Sequence, residues 1–348
     1  MSIQDDKESL HSAFSDDDGS YSTISLSKLE LAVGEVLGIQ CTLRKLAEGG
    51  NHKIYDIISA GAAADDVKYL LRVPSPDFPV DKLSSEVATL QYIADNTSVP
   101  VPKVLAWSTE PFNNAGTEYM ILEKIPGASA YDVWGTFKQE AKERLVQDVA
   151  VHLISLFGLR FSLAGSLFPE QGTVLIGPLV TTPFFDALDG EVRFPQSARL
   201  DLQGFRGPFT RTTDLLSSSP KAELHVIEHR RSELLEKFKG DEALLQLGKR
   251  VLEKAVQLVE VYPGELDIGG VSSGGDAARP FSIRLTDFRL GNIMVCLIYP
   301  CLFWEPLTYF RIRWTSDLDR FWDSSTSKGP SLRLYGCVRS CPLGSKTT

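Results

Sequence analysis

An aspartate and an asparagine five residues apart, Asp287 and Asn292, bracket Gly291 in the stretch SIRLTDFRLGNIMV (282–295), between two short apolar runs. A carboxylate so placed can accept the proton of a substrate hydroxyl. An amide oxygen at that spacing can hold a Mg²⁺ that bridges nucleotide phosphates. Gly291 permits a tight turn between them. Spacing alone favours a plainer reading, an Asx-type turn that joins two strands.

The order of residues upstream shifts that balance. Gly49-Gly50-Asn51 reads as a glycine hairpin whose backbone N–H groups can approach phosphates, although a plain β-turn has the same composition. Arg72 follows on the third strand, where a fixed cation can pair with α- and β-phosphates. Glu86, on the next helix, is its natural carboxylate partner. YMILEKIPG then reads as an edge strand and hinge, with backbone groups at Glu123–Ile125 available to an adenine edge. Each residue has a structural alternative: a solvated arginine, a solvated glutamate, a core strand. Together the order is the one a two-lobed kinase requires.

These residues need elements to carry them. Residues 41–73 read as strands, with a hairpin at Gly49-Gly50 and with Val67, Tyr69, Leu71 and Val73 on one face of VKYLLRVP. DKLSSEVATLQYIADN (81–96) reads as a helix with a Leu83, Val87, Leu90 stripe and Ser84 or Ser85 as its cap. The prolines of SVPVPKVLAW exclude a helix interior, and TEYMILEKIPG reads as a strand. Up to residue 125 the chain is therefore a mostly β lobe with one prominent helix. Helices dominate afterwards. Leu145, Val149, Leu153 and Leu156 fall at helical spacing, residues 166–215 are loop-rich, and 220–260 read as two helices. PGELDIGGVSSGGDAARP (263–280) reads as a flexible connector.

Composition narrows the partners. The 348-residue chain carries a net charge of −9, with 43% hydrophobic and 23% charged residues. That balance excludes general attraction to nucleic acid or an anionic membrane, but allows a local basic pocket for phosphate. No apolar run approaches the ~20 residues that span a bilayer. The acidic, Ser-rich start (1–24) reads as a disordered tail and has neither signal-peptide nor transit-peptide character, so the expected compartment is the cytoplasm. Cysteine usage is uneven: Cys41 is alone before Val295, whereas Cys296, Cys301, Cys337 and Cys341 follow it.

A family resemblance emerges from KLAEGGNHKIYDI, YLLRVPSP, SSEVATLQYIADNTSVPVPKVLAWS, NNAGTEYMILEKIPG, AGSLF, RGPF and LTDFRLGNIMV. Together, over residues 40–295, they resemble the fungal phosphotransferases related to aminoglycoside phosphotransferases and choline kinases. The resemblance implies an α+β, protein-kinase-like fold with a small β-rich N-terminal lobe (25–125) and a mainly helical catalytic and substrate lobe (126–295). It implies ATP and Mg²⁺ as cofactors and a small-molecule hydroxyl as acceptor. By position, Asp287 matches the catalytic base and Asn292 a metal ligand. Arg72 stands where relatives have the phosphate-binding lysine, and Glu86 matches its helix partner. Gly49, Gly50, Asn51, Glu123 and Ile125 fall at the nucleotide.

Two departures matter. The family pattern has histidine two residues before the base, where this chain has Leu285, which cannot hydrogen-bond the loop. The family also places an apolar strand ending in a second metal-binding aspartate after the asparagine. No such strand follows Asn292, and Asp317, Asp319 and Asp323 lie in WTSDLDRFWDSS without one. The catalytic lobe is thus expected to be truncated, with 296–348 an atypical, poorly ordered tail, and this polypeptide to be inactive or nearly so. The codons admit a reason. Val295-Cys296 can be written GTATGT and LTYFR (307–311) can contain an acceptor site, so 296–311 read as a retained intron. From the third base of the Asp323 codon, a shifted frame yields LLDFQGTILAALWV, which resembles the missing motif. A divergent natural C-terminus is the alternative, and genomic and transcript sequence across codon 295 separates the two.

Two other functional classes remain. HVIEH (His225, Glu228, His229) matches a zinc peptidase pattern within a charged helix flank that is otherwise an ordinary solvated surface. A kinase-like module that binds nucleotide without transferring phosphate fits Leu285 and the missing aspartate. Trp134, Phe184 and Phe185 are candidate acceptor contacts, and equally core or surface residues.

Overall fold

The structure is a computed structural model that describes residues 25–49, 52–63, 66–74, 80–110, 112–180, 201–261, 281–285, 288–297 and 308–312. The expected tail 1–24, Gly50, Asn51, Phe184, Phe185, the connector 263–280, Asp287, Asp317, Asp319 and Asp323 lie outside the described residues. The chain divides into two compact units, Met1–Leu90 with Pro100–Val133 and Arg289–Asp323, and Gln91–Val99 with Trp134–Phe288 and Ser324–Thr348.

The first unit opens with helix α1 (Leu26–Leu37), which the reading of a single helix before residue 125 had not foreseen. Ser25 caps it by accepting from the Lys28 N–H, and Gly38 ends it at φ 67°, a left-handed setting that suits glycine. Strands β1 (Cys41–Gly49), β2 (His52–Ser59) and β3 (Tyr69–Pro74) follow, then α2 (Val80–Asn96), β4 (Val104–Ser108) and β5 (Tyr119–Glu123). The sheet order is β1-β2-β3-β5-β4, antiparallel throughout. Two sequence expectations are corrected here. Helix α2 begins at Val80, so Ser84 and Ser85 lie inside it and cap nothing. Strand β5 is interior, flanked by β3 and β4, rather than an edge: the proline-rich segment before β4 delivers a further strand that pairs outside it.

The alternation of a strand assigns each side chain to one of two faces. Tyr55, Ile57, Leu71, Val73, Tyr119 and Ile121 pack against Leu29, Ala32 and Val33 of α1. On the opposite face, Leu70, Met120 and Leu122 pack against the Leu83, Val87, Leu90 stripe of α2. Both faces are dry at their centres, with Leu71, Val73, Val87, Met120 and Ile121 at 0% exposure. Each such side chain stabilises the fold by about 1.5–3 kcal/mol. By the same parity, His52, Ile54, Asp56 and Arg72 stand on the α2 side.

Past the sheet come β6 (Ala128–Ser129) and α3 (Ala130–Val133). The second unit then holds α4 (Gln139–Gly158), β7 (Arg160–Phe161), a hairpin of β8 (Ser166–Glu170) and β9 (Thr173–Gly177), α5 (Thr212–His229), α6 (Arg231–Lys237), α7 (Glu242–Glu260) and β10 (Phe281–Ser282). Three helices therefore stand where 220–260 reads as two, because the first of the two breaks at Arg230 (φ −124°, ψ 31°) into α5 and α6, while the break before α7 falls where it is expected. Their core is Leu202, Ala222, Val226, Leu234 and Leu245. In α4 the predicted stripe is only partly internal: Leu145 and Leu156 are buried, while Leu153 is 37% exposed.

AGSLF and RGPF, some forty residues apart in sequence, meet in space. Ala164 and Phe209 exchange N–H···O bonds of 2.8 Å in both directions. Arg206, 2% exposed, donates from Nε to the Leu179 carbonyl at 2.9 Å and from Nη1 to Gln203 Oε1 at 2.9 Å. Gly165 admits this packing, since a Cβ there would lie 2.2 Å from the Gly177 carbonyl oxygen. The chain finally returns to the first unit through β11 (Ile293–Leu297), which pairs with β6 and with β12 (Thr308–Ile312). Among the described residues, no helix is long and apolar enough to cross a membrane.

Candidate functional site

The site grows from the register of the first three strands. Gly49 pairs with His52 at the end of the β1–β2 ladder. On β3, Arg72 lies opposite Ile54. That register sets Arg72 diagonally beside His52 on the face that α2 covers. From α2, Lys82 and Glu86 are one helical turn apart and point the same way.

These four side chains form a buried charged cluster. Arg72 Nη1 lies 3.1 Å from Glu86 Oε2, and Lys82 Nζ lies 3.7 Å from Oε1. Arg72 Nη2 lies 3.0 Å from His52 Nε2, and Lys82 Nζ lies 3.4 Å from the same nitrogen. Exposure is 4% at His52, 3% at Arg72 and 4% at Lys82. Burial, then the charges of Arg72 and Lys82, hold the His52 imidazole well below its ordinary pKa, so the ring is neutral at physiological pH. Two fixed cations thus share one carboxylate beside His52, the residue that pairs with Gly49. An arrangement of this kind can seat a polyphosphate anion. A strand cation paired with a helix carboxylate behind a glycine-rich loop is the nucleotide device of the protein-kinase-like fold.

A second cluster ties Lys124, just past β5, to β1 and β2. Asp56, 1% exposed, accepts from Arg44 Nη2 and Lys124 Nζ, both at 2.7 Å. Burial pushes its carboxyl pKa up, but the hydrogen bonds from Lys124 and Arg44 outweigh that and hold it below the usual carboxylate value. The N–H groups of Glu123 and Lys124 go to the Lys103 and Lys68 carbonyls at 2.9 and 2.8 Å. The Ile125 amide makes no such backbone bond among the described residues.

The remaining candidates are placed as follows. Asn292 is buried in a short 3-10 turn, its N–H bonded to the Arg289 carbonyl at 2.9 Å. The turn is tied to the strand before α3 by the Ser129 hydroxyl, which donates to the Leu290 carbonyl at 3.4 Å. Leu285 is partly buried, and Trp134 is half-buried under Lys142, whose Nζ lies 5.2 Å from the ring centre. His225, Glu228 and His229 converge on α5, with ligand atoms within 4.8 Å of one another. Glu228 and His229 are exposed, and His229 Nδ1 lies 2.9 Å from the His225 carbonyl oxygen. The geometry is that of neighbouring histidines on a solvated helix. The sequence reading omitted His52, Lys82 and Asp56. The i, i+4 spacing of Lys82 and Glu86 was a usable signal; the His52–Arg72 contact depends on a strand register that spacing does not reveal.

Comparison with known proteins bears on this geometry. Residues 42–296 match the phosphotransferase enzyme family (APH). Two subtelomeric hrmA-associated cluster proteins of Aspergillus fumigatus are each 30% identical, over 131 residues (37% of this chain, 25% of theirs) and 156 residues (41% and 30%). The mitochondrial altered inheritance of mitochondria protein 9 of Clavispora lusitaniae is 26% identical over 137 residues, 36% of this chain and 22% of that protein. The chain thus spans less than a third of the length of these relatives. Among solved structures, the gentamicin complex of APH(2")-IIa aligns over 67% of this chain and 58% of its own, at 15% identity and a TM-score of 0.39. With well over half of its length matched, including the strands, helix and turn that carry Arg72, Glu86 and Asn292, the chain belongs to the phosphotransferase enzyme family.

Proposed function

We propose that this protein is an ATP-dependent phosphotransferase that moves the γ-phosphoryl group to a hydroxyl of a small molecule, with the cytoplasm as its compartment. The observation that carries this reading is the Arg72–Glu86 pair, 3.1 Å long, with Arg72 buried and the Glu86 side chain 13% exposed. Arg72, with Lys82 beside it, neutralises phosphate oxygens. Gly49, Gly50 and Asn51 offer backbone N–H groups, and Glu123 and Ile125 meet the adenine edge. Asp287, assigned by its place in the family motif, takes the acceptor's hydroxyl proton as the acceptor oxygen bonds to the γ-phosphorus. The bond to the β–γ bridging oxygen breaks and ADP leaves.

Mg²⁺ is the metal that the family implies. The described residues do not fit it by themselves. Asn292 offers a neutral amide oxygen, and β11 and β12, IMVCL and TYFRI, carry no carboxylate. A hard dication needs charged oxygen ligands, so no step is assigned to it.

Those same features favour a second reading, a nucleotide-binding module that does not transfer phosphate. Leu285 cannot hold the loop before Asp287, and neither strand after Asn292 brings an acid. One experiment addresses both readings. The purified full chain is melted with ATP, with and without MgCl₂, then assayed for ADP release against a panel of small alcohols and amino alcohols. An ATP-dependent rise in melting temperature is expected, and turnover abolished in Asp287→Asn supports the enzyme. Binding without turnover on any acceptor supports the second reading. No response to ATP overturns both. Zinc, the third possibility, is tested by metal analysis of the same sample. The family match favours a phosphotransferase over a peptidase.

A further inference from the structure

The two oxygens of Glu86 are shared out. Arg72 Nη1 takes Oε2 at 3.1 Å, whereas Lys82 Nζ at 3.7 Å and His52 Nε2 at 3.8 Å approach Oε1. The imidazole is therefore too far from the carboxylate to hydrogen-bond it. Its near neighbours are the cations. Arg72 Nη2 lies 3.0 Å from Nε2 and 3.3 Å from Nδ1, and Lys82 Nζ lies 3.4 Å from Nε2. Guanidinium and ammonium groups can only donate. Lys82 approaches Nε2 alone, so that nitrogen accepts and the ring proton sits on Nδ1, while Arg72 Nη2, nearly equidistant from the two ring nitrogens, lies across the ring face rather than on a lone pair. Two like charges side by side repel, and a neutral acceptor between them offsets that cost. A protonated ring would add a third positive charge and remove the acceptor. Arg72 from β3 and Lys82 and Glu86 from α2 are the charged groups against this ring among the described residues.

We propose that His52 is a positioning residue for the nucleotide's polyphosphate: its neutral ring holds Lys82 through an unprotonated Nε2 and Arg72 across its face, so that one cradle presents both cations. The end of the β1–β2 ladder and the clamp are thereby coupled, because the residue that pairs with Gly49 is also the residue that holds the cations. The coupling answers a difficulty created by Arg72. A guanidinium is larger than the ammonium of relatives and its reach differs, so contacts besides Glu86 bear on where its head lies. His52 supplies one. The proposal rests on the nucleotide reading above.

The test uses the full chain and ATP with MgCl₂, measured by titration calorimetry on wild type, His52→Leu and His52→Gln. Leucine fills the space without an acceptor, whereas glutamine restores one. His52→Leu is expected to weaken ATP binding by about tenfold or more, the effect of losing a hydrogen bond to a charged group. His52→Gln is expected to recover most of that, while both nucleotide-free variants remain folded. Equal loss in both variants, or no loss in His52→Leu, overturns the proposal while the nucleotide reading stands. Failure of wild type to bind ATP overturns the nucleotide reading itself, and the proposal with it. Should His52→Leu not fold, long-range ¹⁵N–¹H spectra of the wild-type ring decide. A pyridine-like Nε2 and a protonated Nδ1 at pH 7 support the proposal, and a doubly protonated ring sinks it.

Discussion

The two units solve the same packing problem differently. In the first, a five-stranded sheet has a helix on each face, and Leu29, Val33, Leu71, Val73, Val87 and Ile121 are wholly enclosed. In the second, long helices keep apolar residues on the outside: Val146, Val151, Ile154 and Phe157 of α4 are 59%, 62%, 71% and 42% exposed, and Leu258 of α7 is 64% exposed. Val146, Leu153, Ile154 and Phe157 follow helical spacing and so line one stripe, a larger exposed apolar face than scattered surface residues produce. The half carrying the charged cluster encloses a core on both faces of its sheet, though its helix α1 also leaves Leu31 70% and Val36 46% exposed. The half expected to hold the acceptor does not cover α4 with its described elements.

The most severe way to probe the first unit is Glu86→Ala. It strips Arg72 and Lys82 of the carboxylate they share and leaves buried charge behind. We expect a loss of about 3–5 kcal/mol in urea denaturation and the loss of ATP binding. The contrast itself is tested by a pair of core and surface changes. Leu71→Ala should cost about 2–5 kcal/mol, whereas Ile154→Ser should change stability by no more than about 0.5 kcal/mol and raise solubility. A large cost at Ile154 would mean that α4 is covered, and the comparison would fail.

Two pH experiments sharpen the description of the first unit. His52 titrates well below 6.5 in the folded state, because burial and then Arg72 and Lys82 oppose its charge. Below pH 6.5 the unfolded chain takes up a proton that the folded chain refuses, so stability falls as pH falls through that value. His52→Gln should flatten the slope of melting temperature between pH 7 and 5. The smallest effect is at Glu118, whose pKa burial pushes up to about 7. A raised carboxyl favours the neutral folded form, so its contribution is present at low pH and lost as pH rises through about 7. Glu118→Gln should match wild type at pH 5 and exceed it at pH 8 by about 1 kcal/mol, a figure kept small by the group's half-open setting.

Much of the first unit was legible beforehand because local physics is strong there. The alternation of Tyr69, Leu71 and Val73 and the Leu83, Val87, Leu90 stripe each report one buried face. Misreadings arose where neighbours override local pattern. Strand β5 has the same apolar alternation at an edge or in the interior, and its place is set by β4 pairing outside it. Leu153 keeps helical spacing with Leu145 and Leu156 whether or not anything packs on it. Ser84 and Ser85 suit a cap, but α2 had already begun at Val80.

Residue types and their order were enough to assign the family, the α+β class, and Arg72 and Glu86 as partners, since a strand cation, a helix acid and a glycine turn carry their chemistry in their identities. The role of His52 required folding. It emerges when Ile54 pairs with Arg72 across two strands and α2 brings Lys82 down on the same face. Contacts of that kind arise from register and burial, which belong to no single segment, and burial is also what keeps the ring uncharged between two cations.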